Sequence, residues 1–141
     1  MPDHNDIIRV IKEWLAKAEN DLKNAAHTLK LGKECPTDTV CFHAQQCIEK
    51  YLKSLLVFRS IPFPKTHNIL VLMTLVPPAL RPELDVDQQN ELTKYATVLR
   101  YPDCGTEISL AKARKTVALA RRVRLEIRRH LPRAALRRKT A

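Results

Sequence analysis

Apolar residues recur at alternating steps of three and four along most of this sequence, and that spacing constrains the fold more than any other feature. Steps of three and four return a side chain to the same face of an α-helix, whereas a half-buried β-strand requires steps of two. The first run is Ile8, Ile11, Leu15, Ala18, Leu22, Ala25 and Leu29, and the second is Cys41, Ala44, Ile48, Tyr51, Leu52 and Leu55. The chain also has only 2 glycines in 141 residues, which disfavours sheet turns and phosphate-binding glycine loops. The sequence therefore predicts a helical protein.

Glycine and proline divide the sequence into five predicted helices. We expect them at about residues 4–31, 38–58, 67–76, 87–99 and 106–131. The candidate N-caps are Thr37 or Asp38 for the second helix, Thr66 or His67 for the third, and Thr106 for the last. The predicted fold class is all-α: an antiparallel up-and-down four-helix bundle with one short extra helix.

The length of the chain is that of a single domain, so we assign residues 1–131 to one helical bundle. Residues 132–141 lack an apolar stripe, and we expect them to be a basic, disordered tail. The end of the second helix, 55–58, is apolar on all sides. It should therefore be covered by the rest of the domain or by a second subunit.

The net charge of +10 is concentrated near the C-terminus. From Ile108 to Ala141 the sequence has twelve basic residues and one acid, Glu126. Such a segment either attracts phosphate-rich partners or merely keeps the outer face of a helix in water.

Cysteine and hydropathy patterns restrict the class of protein further. The 4 cysteines form no CxxC pair and no zinc-ligand spacing with histidine, so we expect no metal site and no cofactor. A domain of this size does not need disulfides to build a core. No apolar stretch approaches the roughly 18 residues that a membrane span requires. A secretory signal begins with a basic segment followed by an apolar one, whereas this sequence begins with Asp3 and His4 before an amphipathic segment. We therefore predict a cytoplasmic protein that does not enter the membrane.

A polar stripe runs along the second predicted helix, on the side away from its apolar stripe. It consists of His43, Gln46, Lys50 and Lys53. At about 100° per residue, these four positions fall within one sector of the helix surface. The stripe is either an ordinary hydrated face or a surface that meets a ligand or a partner subunit.

Two short polar segments between helices are further candidates. Residues 65–68 (KTHN) either cap the third helix or form an anion site beside its N-terminal amides, with Lys65 and His67 contributing charge. Residues 100–103 (RYPD) either end one helix and start the next or contribute to a site. No Ser/His/Asp order, HExxH motif or paired-carboxylate pattern is present to indicate catalysis.

Taken together, these segments resemble the HEPN domain (higher eukaryotes and prokaryotes nucleotide-binding). The resemblance covers about residues 8–131. It rests on Trp14, Ala18, Asp21, Leu22 and Ala25, on the block FHAQQ at 42–46 with Glu49, Lys50, Leu52 and Lys53, on Lys65, Thr66 and His67, on Arg100, Tyr101, Pro102 and Asp103, and on a final helix closing in Arg128 and Leu131.

The resemblance implies a helical bundle that forms homodimers. Many prokaryotic members look like partners of a minimal nucleotidyltransferase in toxin–antitoxin-like pairs, and others bind nucleotides through basic residues near the dimer groove. A third group are metal-independent ribonucleases with an R-x(4 to 6)-H motif. Here the positions at that distance from Arg100 hold Gly105, Thr106 and Glu107 rather than histidine. Arg124 and His130 match the spacing, but in an arginine-rich stretch where a match is expected by chance.

The resemblance and the polar segments together predict a noncatalytic homodimer that binds a nucleotide or other phosphate-bearing ligand and works with a nucleotidyltransferase. The predicted ligand-binding residues are His43, Gln46, Lys50, Lys53, Lys65, His67, Arg100, Tyr101 and Asp103. The lysines would face phosphates, Arg100 would make a bidentate contact oriented by Asp103, the histidines would donate hydrogen bonds, and Tyr101 would stack. The alternatives are a metal-independent ribonuclease toxin with a non-standard Arg/His site, and a general nucleic-acid binder that uses the C-terminal arginines.

Overall fold

The computed structural model describes residues 3–102 and 107–137. Within those ranges the α-helices are His4–Leu29 (α1), Thr37–Phe58 (α2), Ile69–Leu75 (α3), Val86–Ala96 (α4), Leu110–Arg128 (α5) and Arg133–Leu136 (α6). Short 3-10 turns lie at Gly32–Glu34, Pro78–Leu80 and Val98–Arg100. Residues 3–102 and 107–137 contain no β-strand. The all-α prediction is confirmed. No helix in the described part of the chain is long and apolar enough to cross a membrane.

Helix α2 is the centre of the bundle and packs against α1, α5, α4 and α3. Lys50 contacts Asp21, and Lys53 lies over the ring of Trp14, so α1 and α2 are antiparallel. Helix α5 runs parallel to α2, because Thr37 lies near the start of α5 and Tyr51 lies near its end. The four long helices form the predicted bundle.

The core is built from the apolar stripes that the spacing predicted. Every residue of the predicted α2 stripe is completely buried, as are Ile11, Ala18 and Ala25 of α1. Helix α5 contributes a further set, Ala113, Val117, Ala120, Val123 and Ile127. At the end of α2, Leu55 and Leu56 are buried by the chain itself, without a second subunit.

Three helices begin at other residues than we predicted. The side chain of Asn68, not Thr66 or His67, caps α3 by accepting from the amide of Val71. Helix α5 starts at Leu110 behind Ser109, whose hydroxyl accepts from the amide of Lys112; the predicted cap Thr106 lies outside the described residues. Helix α2 starts at Thr37, which caps nothing and donates instead to the carbonyl of Ile108 at 2.7 Å. Thr37 therefore ties the start of α2 to the start of α5.

The expectation of disorder from residue 132 onward is wrong for the first part of that segment. Residues Arg133–Leu136 form one helical turn that packs on α1, and Ala135 is almost completely buried. The short apolar sequence 134–136 (AAL) is sufficient for this contact, although it is too short to show helical periodicity. Residues 138–141 lie outside the described part of the chain.

Candidate functional site

The first polar cluster of the α1–α2 interface is centred on Asp21, which α1 directs inward. Its carboxylate accepts from Nδ1 of His43 at 2.8 Å and from the ammonium of Lys50. A carboxylate can only accept, so Nδ1 of His43 carries the proton. His43 and Lys50 are seven residues apart on α2, which places them on one face of that helix. We call Asp21, His43 and Lys50 the Asp21 cluster.

The second cluster surrounds Glu49, whose side chain is 3% exposed. One carboxylate oxygen accepts from Nδ1 of His67 at 2.8 Å, and the other accepts from Nζ of Lys53 at 2.9 Å. The side-chain amides of Gln45 and Gln46 donate to it at 3.2 and 3.3 Å. A buried carboxylate requires such a set of partners, because desolvation of an unpaired charge is very costly. We call Glu49, Lys53, His67, Gln45 and Gln46 the Glu49 cluster.

Two aromatic rings complete the surroundings of Lys53. Its Nζ lies 5.4 Å from the ring centroid of Trp14 and 5.9 Å from that of Phe63, both within the range of cation–π attraction. The two rings also meet edge to face, with centroids 6.2 Å apart. Lys53 therefore interacts with the carboxylate of Glu49 and with both rings, and its positive charge is neutralised within this chain.

The interpretation of the α2 stripe as one hydrated face is wrong. Gln46 and Lys53 are buried, and His43 and Lys50 are only partly exposed. Position around a helix gives the direction of a side chain but not what covers it. Here α1 and the segment 59–68 cover the polar side of α2 and supply its countercharges and rings.

His67 is the residue of the Glu49 cluster that reaches solvent, with 57% of its side chain exposed. Glu49 holds Nδ1, and no side chain in the described part of the chain forms a hydrogen bond with Nε2. Lys65, two residues earlier, is exposed. Two of the amides at the start of α3 are already used within the chain and are not available to an anionic ligand, because Ile69 donates to the hydroxyl of Thr93 and Val71 donates to the side chain of Asn68.

The segment 100–103 is described only in part. The backbone of Arg100 ends a 3-10 turn, and Tyr101 follows it with its side chain 67% exposed. Asp103 lies outside the described residues, so its predicted contact with Arg100 stays a prediction. In the described ranges, no hydrogen bond, ion pair or ring contact joins Tyr101 to His67 or Lys65.

A third polar cluster, between α1 and α5, was not expected from the sequence. Glu19 accepts from Nε of Arg124 at 2.6 Å and from the hydroxyl of the buried Tyr51, and Arg128 approaches both Glu19 and Tyr51. We call these four residues the Glu19 cluster.

Burial favours a raised pKa for Glu19, but the hydrogen bonds from Tyr51 and Arg124 outweigh it, and the pKa is lowered. The pKa of Tyr51 is raised by burial and by its bond to Glu19. The sequence signal was the i, i+4 pair Arg124 and Arg128, which the surrounding arginines obscured.

The lowered pKa of Glu19 predicts a pH-dependent contribution to stability. The carboxylate stabilises the folded state above its unfolded pKa, and this contribution disappears as pH falls through the lower folded pKa. Glu19→Gln should cost about 1 to 2 kcal/mol of unfolding free energy at pH 7, and the difference from wild type should shrink below about pH 4. Urea titrations at several pH values measure this. Glu13→Gln is the control, since Glu13 pairs with Arg9 at an exposed site, and a pH-independent cost of Glu19→Gln would contradict the prediction.

Comparison with known families gives a match over most of the chain. The family model described as HEPN domain matches residues 11–130. No curated protein matches the chain. No solved structure matches it. The matched range contains all residues of the Asp21, Glu49 and Glu19 clusters.

Proposed function

The chain belongs to the HEPN domain family, and from that premise we propose that it is a homodimeric module that binds a nucleotide or another phosphate-bearing ligand. We further propose that it works with a minimal nucleotidyltransferase in a toxin–antitoxin-like pair, as the family resemblance implies. The ligand surface in this proposal is centred on His67 and Lys65. It extends to His43 and Lys50, and to Arg100 and Tyr101.

The observation that carries the proposal is the position of the His67 ring. The buried carboxylate of Glu49 fixes Nδ1, while more than half of the side chain is in solvent. An imidazole that is held at Nδ1 and largely exposed loses little rotational freedom when it meets an anionic oxygen. When protonated, that imidazole donates a charge-assisted hydrogen bond to a phosphate, and the ammonium of Lys65 adds a second positive group.

The other predicted site residues have different roles in this proposal. Gln46 and Lys53 are buried members of the Glu49 cluster and support His67 rather than contact the ligand. Lys50 and His43 are partly exposed beside Asp21, so they form the inner wall of the surface. Tyr101 has an exposed ring, which suits a base. The sequence has an arginine at position 100, a residue type that suits a phosphate.

Calorimetric titration of the full chain with AMP, ATP and pyrophosphate tests the site. We expect His67→Ala to weaken binding of the best of these ligands by about tenfold, the loss expected for one charge-assisted hydrogen bond. His27→Ala is the matched control, because His27 is an exposed histidine on α1. Binding that His67→Ala and Lys65→Ala leave unchanged, or no heat with any of the three, would overturn the proposed site.

Light scattering measures the proposed dimer directly, and a monomer at working concentration would contradict it. Copurification with a nucleotidyltransferase encoded in an adjacent reading frame tests the proposed partner, and free migration of the two proteins would contradict that pairing.

One observation favours ribonuclease activity as a second candidate. A histidine oriented by a carboxylate is the arrangement of a general acid or base, and His67 has it. RNA incubated with the protein and a chelator distinguishes the two functions. Cleavage that His67→Ala or Arg100→Ala abolishes would assign a ribonuclease, whereas intact RNA favours the binding module.

A further inference from the structure

A groove of about 940 Å³ lies between α1, α5 and α6, and it shares no residue with the Asp21 or Glu49 cluster. Along α1 it extends from Asn5 to Lys23. At 1.5 Å per residue that is about 27 Å, or about five turns of helix. The groove is thus an elongated surface rather than a compact pocket for one small molecule.

The walls of the groove are strongly basic. Its cationic lining residues are Arg9, Lys12, Lys23, Arg124, Arg128 and Arg137, against two acids, Glu13 and Glu19. Both acids already bind arginines of the groove, since Glu13 pairs with Arg9 and Glu19 pairs with Arg124. The remaining positive charge has no acidic counterpart in the lining.

The Glu19 cluster makes the centre of the groove rigid. Glu19 and the hydroxyl of Tyr51 hold Arg124 and Arg128 one turn apart on α5. Guanidinium groups that are already positioned lose less entropy when they bind a carboxylate.

The floor of the groove is aliphatic. By the floor we mean the apolar lining residues Ile8, Leu15, Ala16, Ala135 and Leu136, and no aromatic ring is among the described residues that line the groove. Proteins that bind single-stranded nucleic acid stack bases on aromatic rings, and this groove offers none. An aliphatic floor between cationic walls instead complements a helix with an apolar stripe flanked by acids.

We propose that this groove binds an acidic amphipathic helix of a partner protein. The apolar stripe of that helix packs on the floor, and its Glu and Asp side chains pair with Lys12 and Lys23. They also reach those guanidinium N–H groups of Arg124 and Arg128 that do not contact Glu19 or Tyr51. The occupant is identified by charge complementarity and by the length of the groove.

A fluorescein-labelled peptide of about 18 residues, with Leu at steps of three and four and Glu elsewhere, is the probe. Its fluorescence anisotropy is measured against the full chain, beside a scrambled peptide of equal composition, an all-Glu peptide and oligo(U). We expect saturable binding of the patterned peptide, and at least about tenfold weaker binding of the other three.

Two variants locate the binding in the groove. Ala16 is exposed at the floor, so Ala16→Trp should block the peptide sterically; Ala111→Trp, at an exposed alanine on α5, is the matched control. The double variant Lys12→Glu/Lys23→Glu should weaken binding by about tenfold or more. Lys33→Glu/Lys94→Glu makes the same charge change at exposed lysines outside the groove and should have a smaller effect.

Several results would overturn the proposal. Equal binding of the scrambled or all-Glu peptide would show that the groove attracts acidic peptides nonspecifically and does not recognise an amphipathic helix. Binding of oligo(U) that is tighter than binding of the patterned peptide would identify the groove as a nucleic-acid-binding surface. Absence of peptide binding, or binding that Ala16→Trp leaves intact, would exclude the proposed helix from this groove.

Discussion

Replacing Glu49 with alanine is expected to destabilise the protein by about 3 to 5 kcal/mol, the largest effect of any single substitution considered. The carboxylate is buried and is the countercharge of Lys53, which is itself buried. Its removal leaves an uncompensated ammonium in the interior, and it also deprives Nδ1 of His67 of its acceptor. Urea denaturation of wild type and Glu49→Ala at pH 7 measures the difference.

Two further variants separate charge from packing in this result. Glu49→Leu combined with Lys53→Met removes both charges at similar volume and should recover most of the lost stability. Glu13→Ala removes a carboxylate from an exposed pair with Arg9 and should cost less than about 1 kcal/mol. A small effect of Glu49→Ala, or a double variant as unstable as the single one, would show that the buried pair is not what stabilises this interface.

Leu52→Ala should cost about 2 to 5 kcal/mol, the second large effect. Leu52 is completely buried in α2, the helix that contacts four of the others. The truncation removes transfer free energy and leaves a cavity that the surrounding helices cannot close, because each of them is fixed by contacts elsewhere on α2.

Leu125→Ala is the matched control for that substitution. Leu125 lies on α5 and is 60% exposed, so the same chemical change should alter the unfolding free energy by less than about 0.5 kcal/mol. Both variants can be followed by urea denaturation under one set of conditions. Similar costs at the two positions would contradict the assignment of α2 to the centre of the bundle.

The fold was predictable because it depends on periodicity, which a sequence records directly. The stripes of α1 and α2 were read from steps of three and four, and nearly all of their members are buried. Helix starts were less predictable, because several polar residues near each start can serve as a cap. Asn68 caps α3, and the next amide, that of Ile69, donates to Thr93 of α4, a tertiary contact that the local sequence does not contain.

The polar residues of α2 that form the Asp21 and Glu49 clusters stood out in the sequence, but their contacts did not, and their role in ligand binding stays a prediction. The same polar residues of α2 were singled out, yet their partners Asp21, Trp14 and Phe63 come from other segments. A periodicity argument treats one helix at a time and cannot identify such partners. The Glu19 cluster was missed for the same reason, since it joins residues 105 positions apart.

The packing of Lys53 against Trp14 has a practical consequence. Trp14 is the sole tryptophan of the chain, and its indole lies next to the ammonium that Glu49 neutralises. Indole emission responds to nearby charge and to water, so the fluorescence of the native protein reports on this one location rather than averaging over many. The chain thus carries an intrinsic optical sensor that is linked to His67 through Lys53 and Glu49 and that needs no attached label.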